Sequence, residues 1–104
     1  MMAKFKLVAE PTFKCKVLIP RAGQEDGEIE FTFKHYIPKE LENFETEFKG
    51  KPLVSYLLKI ITGWSLDDEF NEANLDTLLQ NYPASGSAII KTYSRELFGV
   101  REKN

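Results

Sequence analysis

The segment from Gly63 to Pro83 constrains the fold more than any other part of the chain. Asn71 and Asn74 are alternative N-caps for a helix, and the carboxylates around them lie where the positive end of a helix dipole favours negative charge. Gly63 is the predicted end of the preceding helix, because glycine readily adopts the left-handed conformation found there. The apolar side chains that follow at the spacing of one helical face are Leu75, Leu78, Leu79 and Tyr82. The segment predicts two helices joined by a connector.

Helical periodicity begins at residue 38 and continues almost to the end of the chain. The predicted helices cover residues 38–48, 52–62, 72–82 and 84–98. In the second of them, Ser55, Lys59 and Thr62 form a narrow polar strip, and the remaining positions are apolar. A helix that is apolar on most sides is buried on most sides, so we expect it to be covered by the rest of its own domain or by a partner. Gly99 ends the last helix, and residues 99–104 are expected to form a flexible tail.

Before the helices, apolar and polar side chains alternate with a period of two. The predicted strands cover residues 13–19 and 28–35. They are antiparallel around a polar loop, Pro20 to Gly27, in which Asp26-Gly27 is a turn signal. Matching the apolar faces of the strands places Val17 opposite Phe31. A slip of one residue would turn every apolar side chain to solvent, so we expect a firmly specified register.

Phe5 and Leu7 alternate with lysines and indicate a short third strand before Pro11. The resulting fold class is α+β, with an N-terminal antiparallel β-hairpin or small sheet packed on a bundle of about four short α-helices. A chain of 104 residues is long enough for one modest core. We therefore predict a single domain over residues 1–104.

The composition is that of a soluble globular protein, with 42% hydrophobic and 29% charged residues. No apolar run is long enough to span a membrane, and the first residues lack the apolar core of a signal peptide. The lone cysteine rules out an internal disulfide and favours a reducing cytoplasm. The net charge of −2 combines a slightly basic N-terminal part with an acidic remainder, unlike the clustered basic surface that nucleic acids require. We expect no membrane and no nucleic-acid partner.

No arrangement of residues indicates catalysis. Cys15 and His35 share the inner face of the hairpin, but a nucleophile pair also needs a third, orienting group, and buried cysteine usually behaves as a small hydrophobic side chain. The acidic residues from Asp67 to Asp76 lack the alternating ligands and central glycine of a calcium loop. One cysteine and one histidine cannot complete a zinc site. We expect no enzyme activity, no cofactor, no metal and no small-molecule substrate.

The segment from Gly63 to Pro83 also carries a family resemblance. The motif Gly-Trp-x-Leu-Asp-Asp-Glu-Phe-Asn, which starts at Gly63, and the Asn-Tyr-Pro that ends at Pro83 resemble the tail assembly chaperones of long-tailed phages and prophages. The likeness runs from about Phe5 to about Leu97. In that family a glycine usually follows Tyr-Pro directly, whereas here the next glycine is Gly86, which leaves the start of the last helix open. The N-terminal segments that fit the family are Pro11–Lys14, Val17–Pro20 and Glu30–His35.

The resemblance implies a function. Such chaperones coat the long, helical and aggregation-prone tape-measure protein before the tail-tube subunits polymerise around it, and they are absent from the finished particle. The implied partner is a tape-measure protein, and the implied location is the cytoplasm of the bacterial host. Two alternatives remain: a structural tail component, such as a tube, terminator or connector subunit, whose sheet edges would build rings, or a generic cytosolic protein-interaction adaptor.

Several large apolar side chains are candidates for partner binding. Trp64, Leu66 and Phe70 lie in the connector, where they either cover the core or anchor an interface. Tyr56 and Ile60 belong to the apolar helix over residues 52–62 and would form an exposed patch if solvent reached them. A weak homo-oligomer would hide these features until a client competes for them. Trp64 is the only tryptophan, and its fluorescence would report both self-association and client binding.

Overall fold

The computed structural model describes residues 4–100. The elements in chain order are β1 (Thr12–Arg21), β2 (Gln24–Lys34), α1 (Pro38–Glu47), α2 (Leu53–Ile60), β3 (Ile61–Trp64), α3 (Glu72–Asn81) and α4 (Ser85–Phe98). A three-stranded antiparallel sheet in the order β1-β2-β3 packs against the helices. The α+β prediction is therefore confirmed. Most of the predicted flexible tail lies outside the described residues.

The sheet has one apolar face and one polar face, as the alternating pattern predicts. Val17, Phe31 and Phe33 are fully buried on the face that meets the helices. On the opposite face, Lys16 is exposed and Glu30 is half-buried. The long hairpin formed by β1 and β2 thus supplies one wall of the core, while its outer surface remains polar.

The predicted register of the hairpin is wrong by two residues. Val17 pairs with Ile29, and Phe31 pairs with Cys15. Each strand continues through the predicted polar loop, and the chain reverses at Ala22 and Gly23, where Gly23 has a φ of 72°. A left-handed residue of this kind suits a two-residue hairpin turn. A shift of two residues keeps every side chain on its own face, so the apolar pattern cannot detect it.

The third strand is real, but it lies elsewhere in the chain. Phe5 and Leu7, which predict it, are outside any strand and are 91% and 97% exposed. The strand that completes the sheet is β3, on the other side of β2, where Gly63 pairs with Thr32. The prediction that Gly63 ends a helix is therefore also wrong. The helix ends at Ile60, because the β-branched residues that follow it pair with β2 instead of continuing the turn.

The later helices begin and end close to their predicted positions. Asn71 is the N-cap of α3, and its side-chain oxygen accepts a hydrogen bond from the backbone N–H of Asn74 at 2.8 Å. The helix α4 begins at Ser85 and ends at Gly99, which has a φ of 68°. The buried residues of α3 and α4 are Leu75, Leu78, Ser85, Gly86, Ile89 and Tyr93.

The helix α2 is the central helix, whereas α1 is peripheral. The α2 residues Val54, Leu57 and Ile60 are buried, and α2 packs against α3, α4, β2 and β3. The helix α1 buries only Phe44 and does not pack its backbone closely against any other element. The loosely packed α1 forms one wall of the second groove described below.

Candidate partner-binding surfaces

The predicted partner-binding residues do not form one patch. Ile60 is fully buried in the core and has no surface to offer. Trp64 and Leu66 lie on one groove, and Phe70 packs edge-on against Trp64 with ring centroids 5.1 Å apart. Tyr56 is half-buried and lies on a different groove.

The first groove, the hairpin groove, lies between the turn end of the hairpin, the connector after β3 and the helix α3. It encloses about 440 Å³. Its lining residues are Ile19, Arg21, Gly27, Glu28, Ile29, Trp64, Leu66, Asp68, Asn74, Thr77, Leu78, Asn81 and Tyr82. Apolar side chains line its interior, and polar side chains form its rim.

Hydrogen bonds fix the connector wall of the hairpin groove. The indole Nε1 of Trp64 donates to the carbonyl of Asp68 at 2.8 Å. The backbone N–H of Ser65 donates to the carbonyl of Glu30 at 2.9 Å, and the N–H of Glu30 donates to Ser65 Oγ at 3.0 Å. The Trp64 ring also meets Phe31 edge-on at 6.3 Å. A tryptophan with its N–H satisfied and its faces packed is held in one orientation.

Arg21 shapes the mouth of the hairpin groove. Its Nε donates to the backbone carbonyl of Glu25 at 2.8 Å, so the side chain crosses the end of the hairpin. Gly27 lies beneath it, and a Cβ at that position would meet the Nε of Arg21 at 3.4 Å. This distance is an ordinary van der Waals contact, so the Arg21 side chain packs directly over this position.

The second groove, the helix groove, lies between α1, α2 and α4. It encloses about 540 Å³. Its lining residues are Pro38, Leu41, Glu42, Phe44, Glu45, Phe48, Lys49, Lys51, Pro52, Leu53, Tyr56, Tyr93, Ser94 and Phe98. Two of its apolar residues are open to solvent, with Leu53 42% and Phe98 56% exposed.

Ring contacts hold most of the α1 wall of the helix groove, and one hydrogen bond, from the Tyr36 hydroxyl to the Lys59 carbonyl at 3.1 Å, adds to them. Phe44 meets Tyr36 edge-on with centroids 4.8 Å apart, and Phe48 meets Tyr56 edge-on at 5.8 Å. The ammonium group of Lys59 lies 5.3 Å from the centre of the Phe44 ring. Each such contact contributes about 0.5–1.5 kcal/mol beyond the area that it buries, so α1 is attached by a few modest interactions.

Tyrosines form the floor and side of the helix groove. The hydroxyl of Tyr93 donates to the carbonyl of Lys34 at 2.9 Å, and the residue is 1% exposed. Burial, with smaller contributions from nearby ionisable groups, raises the pKa of Tyr93 above its usual range. Burial and then the charge of Glu45 raise the pKa of Tyr56. Both phenols are thus neutral at physiological pH, and the floor of the groove carries no charge.

A comparison of the sequence with known protein families gives a match that covers residues 2–104, to a family described as phage tail assembly chaperone. The chain belongs to that family. The match confirms the resemblance seen in the sequence motifs, and it implies a protein partner in tail assembly. Comparison with curated proteins and with solved structures gives no match.

The most exposed apolar residues of this chaperone's helix groove, Leu53 and Phe98, were not among the predicted partner-binding residues. They lie 45 residues apart in the chain, and no local pattern shows that they share a groove. The buried Gly86 was the one available signal. A Cβ at Gly86 would overlap Leu53 Cδ2, so this glycine allows the close approach of α4 to α2.

Cys15 and His35 lie apart on the hairpin. The N–H of His35 donates to the carbonyl of Pro11, and the rise of a strand puts Cys15 about 13 Å further along β1. Cys15 and His35 therefore do not form a pair. Within residues 4–100, no group of three or more His, Cys, Asp or Glu residues is placed to hold a metal ion. No helix in this range has the length and apolarity needed to cross a membrane.

Proposed function

We propose that this chaperone binds a tape-measure protein in the cytoplasm of the bacterial host and keeps it soluble until the tail tube assembles. Family membership supplies the role in tail assembly. The observation that carries the finer proposal is the helix groove, because Leu53 and Phe98 leave apolar surface open within a concave surface. Exposed apolar surface rimmed by polar residues usually marks a binding site.

The occupant that fits the helix groove best is an apolar stripe on a client helix. Amphipathic helices dock by placing apolar side chains into a hydrophobic groove between helices. The walls contribute Phe48, Tyr56, Leu53 and Phe98 to such a contact. Tape-measure proteins are expected to be long and helical, so the same stripe recurs along one molecule and offers many equivalent sites.

Many copies on one client reinforce a weak single contact. Once two copies sit side by side, each raises the effective concentration of the next, and high affinity at any one site is not required. The charged rim suits such a use, since Glu42 and Glu45 lie on one part of it and Lys49 and Lys51 on another. Client helices of either charge then meet a complementary side chain.

The connector residues Trp64, Leu66 and Phe70 remain a second proposed contact surface. Leu66 is 37% exposed over the hairpin groove, whereas Trp64 and Phe70 are half-buried against each other. In this arrangement only Leu66 offers apolar surface to a partner without rearrangement. The helix groove is therefore our first choice for the client.

Co-expression with the neighbouring tape-measure protein tests the proposed function. The soluble fraction of the tape-measure protein should rise when the chaperone is present, and the two should co-purify. The variant Phe98→Ser, altered only at an exposed position, should lower that fraction. Purified virions should contain the tape-measure protein and lack the chaperone. An unchanged soluble fraction, or the chaperone in virions in tube-subunit quantities, would overturn the proposal in favour of a structural tail component.

A further inference from the structure

The N-terminal arm, residues 4–10, carries apolar side chains that the rest of the molecule does not cover. Phe5 is 91% exposed, Leu7 is 97% exposed and Val8 is 79% exposed. Single exposed apolar residues are ordinary on protein surfaces. Three within four positions, interrupted only by Lys6, form an apolar segment. Covering that segment with protein would be favourable, because it removes apolar surface from water.

The helix groove is the surface in the described structure that fits such a segment. It is lined mainly by apolar and aromatic side chains, it encloses about 540 Å³, and Leu53 and Phe98 leave its rim open. A groove of this volume accepts a few apolar side chains, which either a short extended segment or one face of a helix can supply. The arm is the right size for it.

The charges of the arm and of the groove are complementary. Lys4 and Lys6 flank Phe5 in the arm, and Glu42 and Glu45 lie on the α1 side of the groove. The arm's own ion pair, between Lys6 and Glu10 at 2.9 Å, is largely exposed. Exposed pairs of this kind contribute little, so Lys6 exchanges Glu10 for a carboxylate on the groove at small cost.

The arm of a protomer does not occupy the groove of the same protomer, although its root is close. The His35 N–H donates to the Pro11 carbonyl at 2.9 Å, and the chain reaches Pro38 at the end of the helix groove a few residues later. Despite this proximity, the arm's apolar side chains remain exposed. A single chain thus leaves both the arm and the groove uncovered.

We propose that the arm of one copy docks into the helix groove of a second copy, with Phe5, Leu7 and Val8 against Leu53 and Phe98. The contact is heterologous, because the surface that one copy gives differs from the surface that it receives. Each copy keeps a free arm or a free groove, so association continues head to tail into a ring or an open chain. This contact does not require a client.

A regulatory consequence rests on the proposed function. If the client helix uses the same groove, arm and client compete for it. Free chaperone is then stored with its grooves filled, and the client displaces the arms. Removing the apolar residues of the arm should consequently strengthen client binding while it abolishes self-association.

Sedimentation equilibrium of the full chain over a concentration series tests the arm–groove contact. The mass of the wild type should rise with concentration beyond that of a dimer. The arm variant Phe5→Ser with Leu7→Ser and the groove variant Phe98→Ser should each associate at least about tenfold more weakly, as loss of a central contact does. A mixture of the two variants should form one-to-one dimers and nothing larger, since it retains one intact arm and one intact groove. All these positions are exposed, so the fold should be unaffected.

Leu18→Ser is the matched control, because Leu18 is 58% exposed on the outer face of the sheet, away from both the arm and the groove. It should associate like the wild type. The proposal is overturned if the arm variant associates like the wild type, if the mixture gives no dimers, or if the wild type stays monomeric, as docking within one chain would require. A tape-measure fragment that binds a strictly monomeric chaperone contradicts only this inference. Arm-dependent association without any binding of the fragment contradicts only the proposed function.

Discussion

The two grooves of this chaperone are similar in volume but are held in different ways. In the hairpin groove, hydrogen bonds from Trp64 and Ser65 to the backbone fix the connector, and Arg21 is tied across the hairpin end. In the helix groove, the α1 wall is held mainly by edge-on rings and by a lysine over Phe44, with a single hydrogen bond from Tyr36 to the Lys59 carbonyl. Hydrogen bonds demand fixed angles and distances, whereas ring contacts tolerate small displacements.

This difference indicates which groove suits a varied client. A groove with fixed walls favours one shape, and its main exposed apolar residue is Leu66. A groove whose outer wall is attached by a few ring contacts can adjust to apolar stripes of different side chains. Surfaces that repack are characteristic of proteins that bind many related sequences. We therefore expect the helix groove, rather than the hairpin groove, to adjust to varied client sequences.

The largest expected effect comes from Phe31, a core residue that packs against Trp64 of the hairpin groove. Phe31 is fully buried and meets Trp64 at the edge of the hairpin groove. Phe31→Ala should lower the free energy of unfolding by about 3–5 kcal/mol, through lost burial and the cavity left behind. Denaturant unfolding measures this change in the free energy of unfolding. Lys14→Ala, at an exposed position of β1, should stay within about 0.5 kcal/mol. A comparably small effect at Phe31 would mean that the sheet does not support the groove.

High pH should lower the stability of the fold, partly through Tyr93 on the floor of the helix groove. Burial raises the pKa of Tyr93 in the folded state, whereas the unfolded chain titrates near the ordinary value of 10.0. Above that value the folded chain keeps a proton that the unfolded chain has lost, so stability is full below pH 10 and falls as the pH rises. The slope from one such group is at most about 1.4 kcal/mol per pH unit.

Tyr93→Phe should make this loss less steep, although it also removes the hydrogen bond to the Lys34 carbonyl. Thermal unfolding of both proteins between pH 8 and pH 11 compares the slopes. The pKa of Tyr36 and of Tyr56 is also raised by burial, so part of the slope should remain. An identical slope in the variant would show that Tyr93 is not protected from solvent.

Asn71→Ala should loosen the hairpin groove alone. The side chain of Asn71 caps α3, which forms one wall of that groove. Loss of such a cap costs about 0.5–2 kcal/mol of stability. Trp64 fluorescence should change, because the connector leads directly into this cap. Asn43→Ala, at an exposed position within α1, is the matched control; it should leave emission unchanged and should not lower stability, because alanine is the better helix former. An equal response in the two variants would rule out the capping role.

Gly86→Ala should alter the helix groove alone, with the smallest effect on stability. The added Cβ would overlap Leu53 Cδ2, so the Leu53 side chain must move at the groove rim. The cost of that shift is offset by the helix propensity of alanine, about 1 kcal/mol better than that of glycine. Unfolding should therefore change by less than about 1 kcal/mol, while binding of a tape-measure fragment changes measurably. Unaltered binding would mean that Leu53 is not a contact.

Local patterns in the sequence predicted the faces of the elements well. The stripes of α3 and α4, the cap at Asn71 and the end at Gly99 depend on neighbouring residues only. The prediction of the hairpin register was wrong because a shift of two residues preserves the alternation. In addition, Ala22-Gly23, where the chain turns, is a less distinctive turn sequence than Asp26-Gly27. The boundary between α2 and β3 failed because pairing with a distant strand overrides a helical pattern that continues to residue 62.

The candidate site was less predictable than the fold. Trp64 and Leu66 are adjacent to a recognisable motif, and the structure places both on a groove. Leu53 and Phe98 share a groove only because α4 crosses α2 at Gly86 and α1 leans over both. Such a meeting depends on tertiary packing, which no single periodic pattern records.

The most direct test of the helix groove as the client site is the affinity of two matched variants for one tape-measure fragment. Phe98→Ser removes an exposed side chain from the helix groove, and Leu66→Ser removes one from the hairpin groove. Calorimetric titration should show the Phe98 variant weakened about tenfold, roughly 1.4 kcal/mol, with the Leu66 variant binding like the wild type. The reverse order, with Leu66→Ser weakened and Phe98→Ser unchanged, would place the client in the hairpin groove and contradict this assignment.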